Sequence, residues 1–160
     1  MNRELLMKAR AIIADIPETQ LDLSNWVARN VTDPEQVEPT CGTHACIAGW
    51  IAGSKQIPGL GLYLVKPEFE PAILMPWPTG LPIPAFKEGY HAFNWVIGHL
   101  AVLFDISGRE AEALFSPADA GEFDREIYGY SDTAEDGLSD KRLALARFDY
   151  LLADDYIPHD

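Results

Sequence analysis

The sequence predicts a mainly α-helical fold: a single compact domain of about five helices, with a proline-rich flap able to hold two short strands. Three observations carry this expectation. Apolar residues recur at helical spacing in separate segments along the chain. The stretch Cys41 to Gly53 is apolar and small on every side, which suits a buried helix. Seven of the twelve prolines fall within residues 54–90, where no long helix can survive.

In chain order, Leu5, Ala9, Ile12, Ile13 and Ile16 define a first helix from about Arg3, closed by Pro17. Leu21, Leu23, Trp26 and Val27 follow as core anchors, with Ser24 placed to cap a brief helix, and residues 29–40 read as a polar loop. In the next segment, Thr43 is the expected cap of a helix whose first turn holds His44 and Cys46. Ala45, Gly49 and Gly53 form a stripe of minimal side chains on this central helix. Within the flap, Leu62–Val65 and Ala72–Met75 have the composition of two strands of a hairpin that folds over the core as an apolar cover. A helix from Tyr90 or His91 to about Phe104 presents Ala92, Trp95, Val96, His99, Leu100, Val102 and Leu103 as a wide apolar face. Gly98 is costly inside a helix, so Asn94, Gly98 and Ala101 are expected to meet the small-residue stripe of the central helix. Ser107 and Glu110 have capping-box spacing and open a short helix to Phe115. Ser139 caps a last helix from Asp140 to about Ala153, with Leu143, Ala144, Phe148, Leu151 and Leu152 facing inward. The organisation expected is one domain over residues 1–160, divided into N-terminal helices (1–53), a flap (54–90) and an acidic helical part (91–160).

A chain of 160 residues is long enough to bury roughly two thirds of the surface its unfolded form exposes. Its net charge is −13, and residues 101–160 hold five basic against fifteen acidic side chains, so −10 of the excess lies in the last third. That field repels phosphate, which disfavours direct binding to nucleic acid or to an anionic membrane and favours a protein partner with a basic surface. No apolar stretch approaches the roughly 20 residues that span a bilayer. The two cysteines stand too close in sequence to staple the domain, and the first residues lack the apolar run of a secretory leader, so the expected location is cytoplasmic with reduced thiols.

Chemistry-capable residues are sparse. Cys41, His44 and Cys46 offer three ligands of the kind zinc prefers, but their Cys-x2-His-x-Cys spacing differs from the usual paired arrangement, and a fourth ligand would come from His91, His99 or a carboxylate. A cysteine in the first turn of a helix is also a place for a thiol nucleophile, with His91 or His99 as base, although no oxyanion or orienting group is identifiable. The structural reading makes Cys46 a small buried hydrophobe, Cys41 a loop residue and His99 a core histidine. Asp132, Asp136 and Gly137 match three positions of a calcium-binding loop, but the closing glutamate is Leu143. No phosphate-cradling glycine loop, nucleophile elbow or dinucleotide fingerprint is present. The helix pair about Asp105 has the outline of a helix-turn-helix, but Arg109 to Phe115 holds one base against two acids, the wrong balance for DNA.

The motif Cys41-Gly42-Thr43-x-Ala45-Cys46-Ile47-Ala48-Gly49-Trp50, followed by the Ala101–Phe115 helical pair, resembles a group of small phage, prophage and bacterial proteins without a settled function. The likeness covers roughly a third of the chain. It implies a helical fold and a mobile-element origin, and no activity. The functional expectation is therefore a non-catalytic protein, without a resident cofactor, that binds a partner with a basic surface. A modulator that occupies a nucleic-acid channel by mimicking its charge is one version. The alternatives are a metal-binding protein, holding zinc, and a thiol enzyme, both built on Cys41, His44 and Cys46.

Overall fold

The computed structural model describes residues 1–23, 46–65, 73–80, 89–115 and 139–156. Among these, the first helix, α1 (Arg3–Asp15), starts where Asn2 accepts the Leu5 N–H on its side-chain oxygen at 3.1 Å. It stops at Ile16, whose extended backbone is what a following proline imposes. Leu6, Ala9, Ile12 and Ile13 form its buried stripe. A single 3-10 turn, Glu18–Gln20, then lays Leu21 and Leu23 into the core.

The second helix, α2 (Ile47–Gly53), is buried at every residue and holds the middle of the fold, as its composition requires. It begins later than the sequence suggests. Cys46 is extended, with ψ 177°, and its carbonyl takes the first intrahelical bond from Trp50 at 3.0 Å, so Cys46 is the cap and not part of the first turn. Cys41, Gly42, Thr43, His44 and Ala45 lie outside the described residues, as do Trp26 and the acidic residues 116–138. Trp50 donates its indole N–H to the Gln20 carbonyl at 3.2 Å, which ties α2 to the 3-10 turn.

Two strands follow, β1 (Leu60–Val65) and β2 (Ile73–Pro78), antiparallel and in a register running from Leu60 opposite Pro78 to Val65 opposite Ile73. This is the hairpin expected within the flap, and it packs on α2. Two prolines in one strand would ordinarily break the ladder. Thr79 donates its N–H to the Gly59 carbonyl at 3.0 Å, so the 59/79 pair is hydrogen-bonded. Alternation then puts Leu60–Pro78 and Leu62–Pro76 at the positions where no N–H is used, and the prolines cost the ladder nothing.

The third helix, α3 (Gly89–Phe104), buries Val96, Ile97, Leu100, Ala101 and Phe104. Its apolar face is narrower than expected, since Trp95 is 53% and Val102 82% exposed. The expected close approach of Gly98 to α2 does not occur: Gly98 is exposed, and a methyl group built there would meet no atom of the described residues within 4 Å. The reason is that α2 is occupied by the hairpin and α1, while α3 packs mainly on the fourth helix, α4 (Gly108–Phe115), and on β2. The two helices are joined tightly. Ile106 N–H reaches the Ala101 carbonyl at 3.0 Å and Asp105 N–H reaches Val102 at 3.2 Å, with Asp105 at φ 51°, which is a Schellman closure.

The last helix, α5 (Asp140–Leu151), is capped by Ser139 and runs antiparallel to α1. Lys141 caps the end of α1, donating to the Ala14 and Ile16 carbonyls at 2.7 and 2.6 Å. Farther along, Arg10 grips Asp149 with two bonds of 2.6 and 3.0 Å, and Arg3 reaches the Leu152 carbonyl at 2.6 Å. The result is a compact, mainly helical domain of five helices with one two-stranded antiparallel sheet among the described residues. None of those helices is long and apolar enough to cross a membrane.

Candidate functional site

An apolar concavity lies between the hairpin and α3. Gly59 opens it with φ 82°, a backbone state that suits glycine and turns the chain into β1. Leu60 and Pro76 contribute from the two strands, and Val96 and Leu100 close the floor from one face of α3. Pro78, Val102 and Leu103 form the rim, and the cavity measures about 210 Å3. Among its described lining residues, His99 has the one polar side chain.

His99 is held firmly for a half-buried residue. Its Nδ1 lies 2.8 Å from the Trp95 carbonyl, one turn back in the helix. A carbonyl has no proton to give, so Nδ1 carries the hydrogen of this bond. The ring stacks on Trp95 with centroids 5.8 Å apart and packs against Trp77 at 5.4 Å. Trp77 is buried and Trp95 is exposed, so the imidazole is the middle member of a row of rings that leads from core to surface.

The sequence expectation placed candidate ligands at Cys41, His44 and Cys46. Only Cys46 falls within the described residues, and it is a buried thiol in no disulfide. The amides of Gly49 and Ala48 face the sulfur and favour the thiolate, but burial outweighs them and pushes the thiol up to about 11, away from the reactive range. Among the described residues, no group of three or more His, Cys, Asp or Glu is placed to hold a metal ion.

Two charged residues are buried where the sequence reading did not place them. Glu110 completes the capping box, its Oε2 accepting the Ser107 N–H at 2.6 Å while Ser107 Oγ accepts the Glu110 N–H at 3.2 Å. Its other oxygen accepts the Tyr156 hydroxyl, so a single carboxylate both starts α4 and holds the segment after α5. Arg147 is fully buried on the inner face of α5. The capping-box spacing was readable, whereas the burial of Glu110 depends on Tyr156, 46 residues away. Another hollow lies over Arg3, Met7, Arg10 and Asp149, but its arginines are engaged by Asp149, Asp154 and backbone carbonyls.

Comparison with protein-family models, with curated proteins and with solved structures finds no match. The class defined by the fold and the cleft is therefore physical: a mainly helical domain with, among the described residues, a small apolar cavity bordered by a constrained histidine.

Proposed function

We propose that this chain is a non-catalytic binding protein whose partner is a protein with a basic surface. The observation that carries the reading is the charge distribution, −13 over the chain and −10 of it within residues 101–160. A field of that strength and polarity accelerates encounter with a cationic surface and repels anionic ones. Further support comes from how the described basic residues are used: Arg3, Arg10 and Lys141 are turned onto carbonyls and carboxylates of their own fold, which leaves the excess of acids uncompensated. The raised pKa of Cys46 supports a packing role for that thiol in preference to a nucleophilic one.

The test is salt dependence. A partner captured at low ionic strength should be basic, and its affinity should fall steeply between low and physiological salt, because attraction between exposed charges is screened over about 10 Å at 0.1 M. Reversing acids of the last third to lysine should slow association first. An association insensitive to salt would overturn the reading.

A further inference from the structure

We infer that the outer face of α3 is a self-association surface, on which a second copy of this chain lays its own α3 antiparallel about a two-fold axis near Gly98. The inference is independent of the basic-partner reading, which rests on the acidic charge and not on this face.

Charge narrows the choice of partner first. In a chain of net charge −13, the whole of α3 carries no Asp, Glu, Lys or Arg. Two copies of so acidic a molecule repel each other over most approaches, and a helix free of acids is where they meet at least cost. A cationic partner gains nothing there. What the face presents instead is apolar: Trp95 and Val102 each stand more than half exposed, with Gly98 exposed between them.

Spacing then selects a second copy. Trp95, Gly98 and Val102 fall at i, i+3 and i+7, on one stripe of the helix. A two-fold contact pairs one residue with another and repeats the pair in reverse, so an axis between Gly98 and His99 sets Trp95 of each copy against Val102 of the other. The backbone at the centre is open to close approach, since a methyl group built on Gly98 would meet no atom of the described residues within 4 Å. Val102 also stands on the rim of the cleft, so the facing indole arrives at the mouth of a cavity of about 210 Å3, larger than the roughly 150 Å3 in which an engineered apolar site in another protein holds benzene. Stacking on His99, with centroids 5.8 Å apart, already restricts the Trp95 ring, and little freedom is lost on contact.

Size sets the strength. The 16 residues of α3 span about 24 Å, and a strip about 10 Å wide along them covers about 240 Å2 per copy, against roughly 800 Å2 per partner in a stable standard interface. The dimer is therefore weak and exchanging, with a dissociation constant of roughly 10 µM to 1 mM.

The experiment is sedimentation equilibrium of the full chain from about 10 µM to about 1 mM, the range in which such a contact forms. The native chain should pass from monomer towards dimer, and raising sodium chloride from about 0.01 to about 0.15 M should favour the dimer by screening repulsion, the reverse of the salt response of a basic partner. Trp95→Lys and Val102→Glu, both at exposed positions, should each raise the dissociation constant at least about tenfold. Mixed in equal amounts the two variants should associate again, because the antiparallel register sets the introduced lysine against the introduced glutamate on one side and keeps the native Trp95–Val102 pair on the other. Should either variant fail to fold, Trp95→Glu with Val102→Lys makes the same test with the charges exchanged. A native chain that stays monomeric at about 1 mM, a dimer that salt weakens or that neither substitution disturbs, or folded variants that do not associate when mixed would each overturn the proposal.

Discussion

At the scale of single residues, two positions hold free energy in forms that can be measured. Lys55 follows α2 with φ 57°, in the left-handed region that a lysine enters at a cost of roughly 1–2 kcal/mol. The rest of that helix end is already satisfied, because Lys55 N–H donates to the Ala52 carbonyl at 3.3 Å and Ser54 Oγ donates to the Ile51 carbonyl at 2.7 Å. Glycine would keep these bonds and remove the strain, at the expense of a more flexible unfolded chain. Lys55→Gly should therefore stabilise the protein by about 0.5–1 kcal/mol in urea unfolding. Cys46 makes the opposite kind of contribution, visible through pH. Its folded pKa of about 11 lies above its ordinary value of 9.0, so the folded state holds the proton more tightly than the unfolded one. The associated stability is complete below pH 9 and is lost as pH rises to about 11, amounting to about 3 kcal/mol. Cys46→Ala should flatten that part of the stability profile. In the native protein, Cys46 should resist alkylation at neutral pH and react only at a rate set by unfolding.

At the scale of elements, the junction most open to dissection is the one Glu110 makes between α4 and the segment after α5. Removing the Tyr156 hydroxyl leaves a buried carboxylate short of a donor, so Tyr156→Phe should cost about 1–2 kcal/mol and Glu110→Ala about 2–3 kcal/mol. Because the two groups meet directly, the double variant should cost less than the separate losses combined, by about 1 kcal/mol. Additive losses would mean that the contact contributes nothing and that Glu110 acts on the helix start alone. The same junction illustrates what was legible in the sequence. Signals confined to one element were: the Ser107/Glu110 spacing, the Ser139 cap, the closure of α1 at Pro17 and the two strands all stand in the structure. Signals that depend on which elements meet were not. Gly98 looks like a packing glycine only if α2 is its neighbour, and Trp95 and Val102 look like core only if α3 is covered over more than half its circumference. The cleft belongs to this second kind, since Trp77 and His99 come together through a pairing of β2 with α3 that neither segment specifies by itself.

At the scale of the whole molecule, the chain is closed by its two ends: α1 and α5 lie antiparallel, sewn together by Lys141 on the end of α1 and by the pair of Arg10 with Asp149. This closure brings α5 against the first helix, and the chain's net charge of −13 works against compaction through self-repulsion. Opposing it are ion pairs that sit at the surface: Arg10 with Asp149, worth at most about 1 kcal/mol after solvent screening, and Arg3 with the fully exposed Asp154. The two effects respond to salt in opposite directions, and their sizes decide the sign. Ion pairs of this kind are few and local, whereas repulsion sums over every pair of the excess acids within about 10 Å, the screening length at 0.1 M. Raising sodium chloride from about 0.01 to about 0.15 M, which shortens that length roughly fourfold, should therefore raise the melting temperature by a few degrees, at about 2–4 °C per kcal/mol for a chain of this size. Arg10→Met should leave the upward slope in place and make it steeper, since it removes a pair that salt weakens and adds to the acidic excess. A melting temperature that falls over the same range would mean that attractive pairs, not repulsion, govern the electrostatics of the fold, and would remove the uncompensated acidic surface on which binding to a basic partner depends.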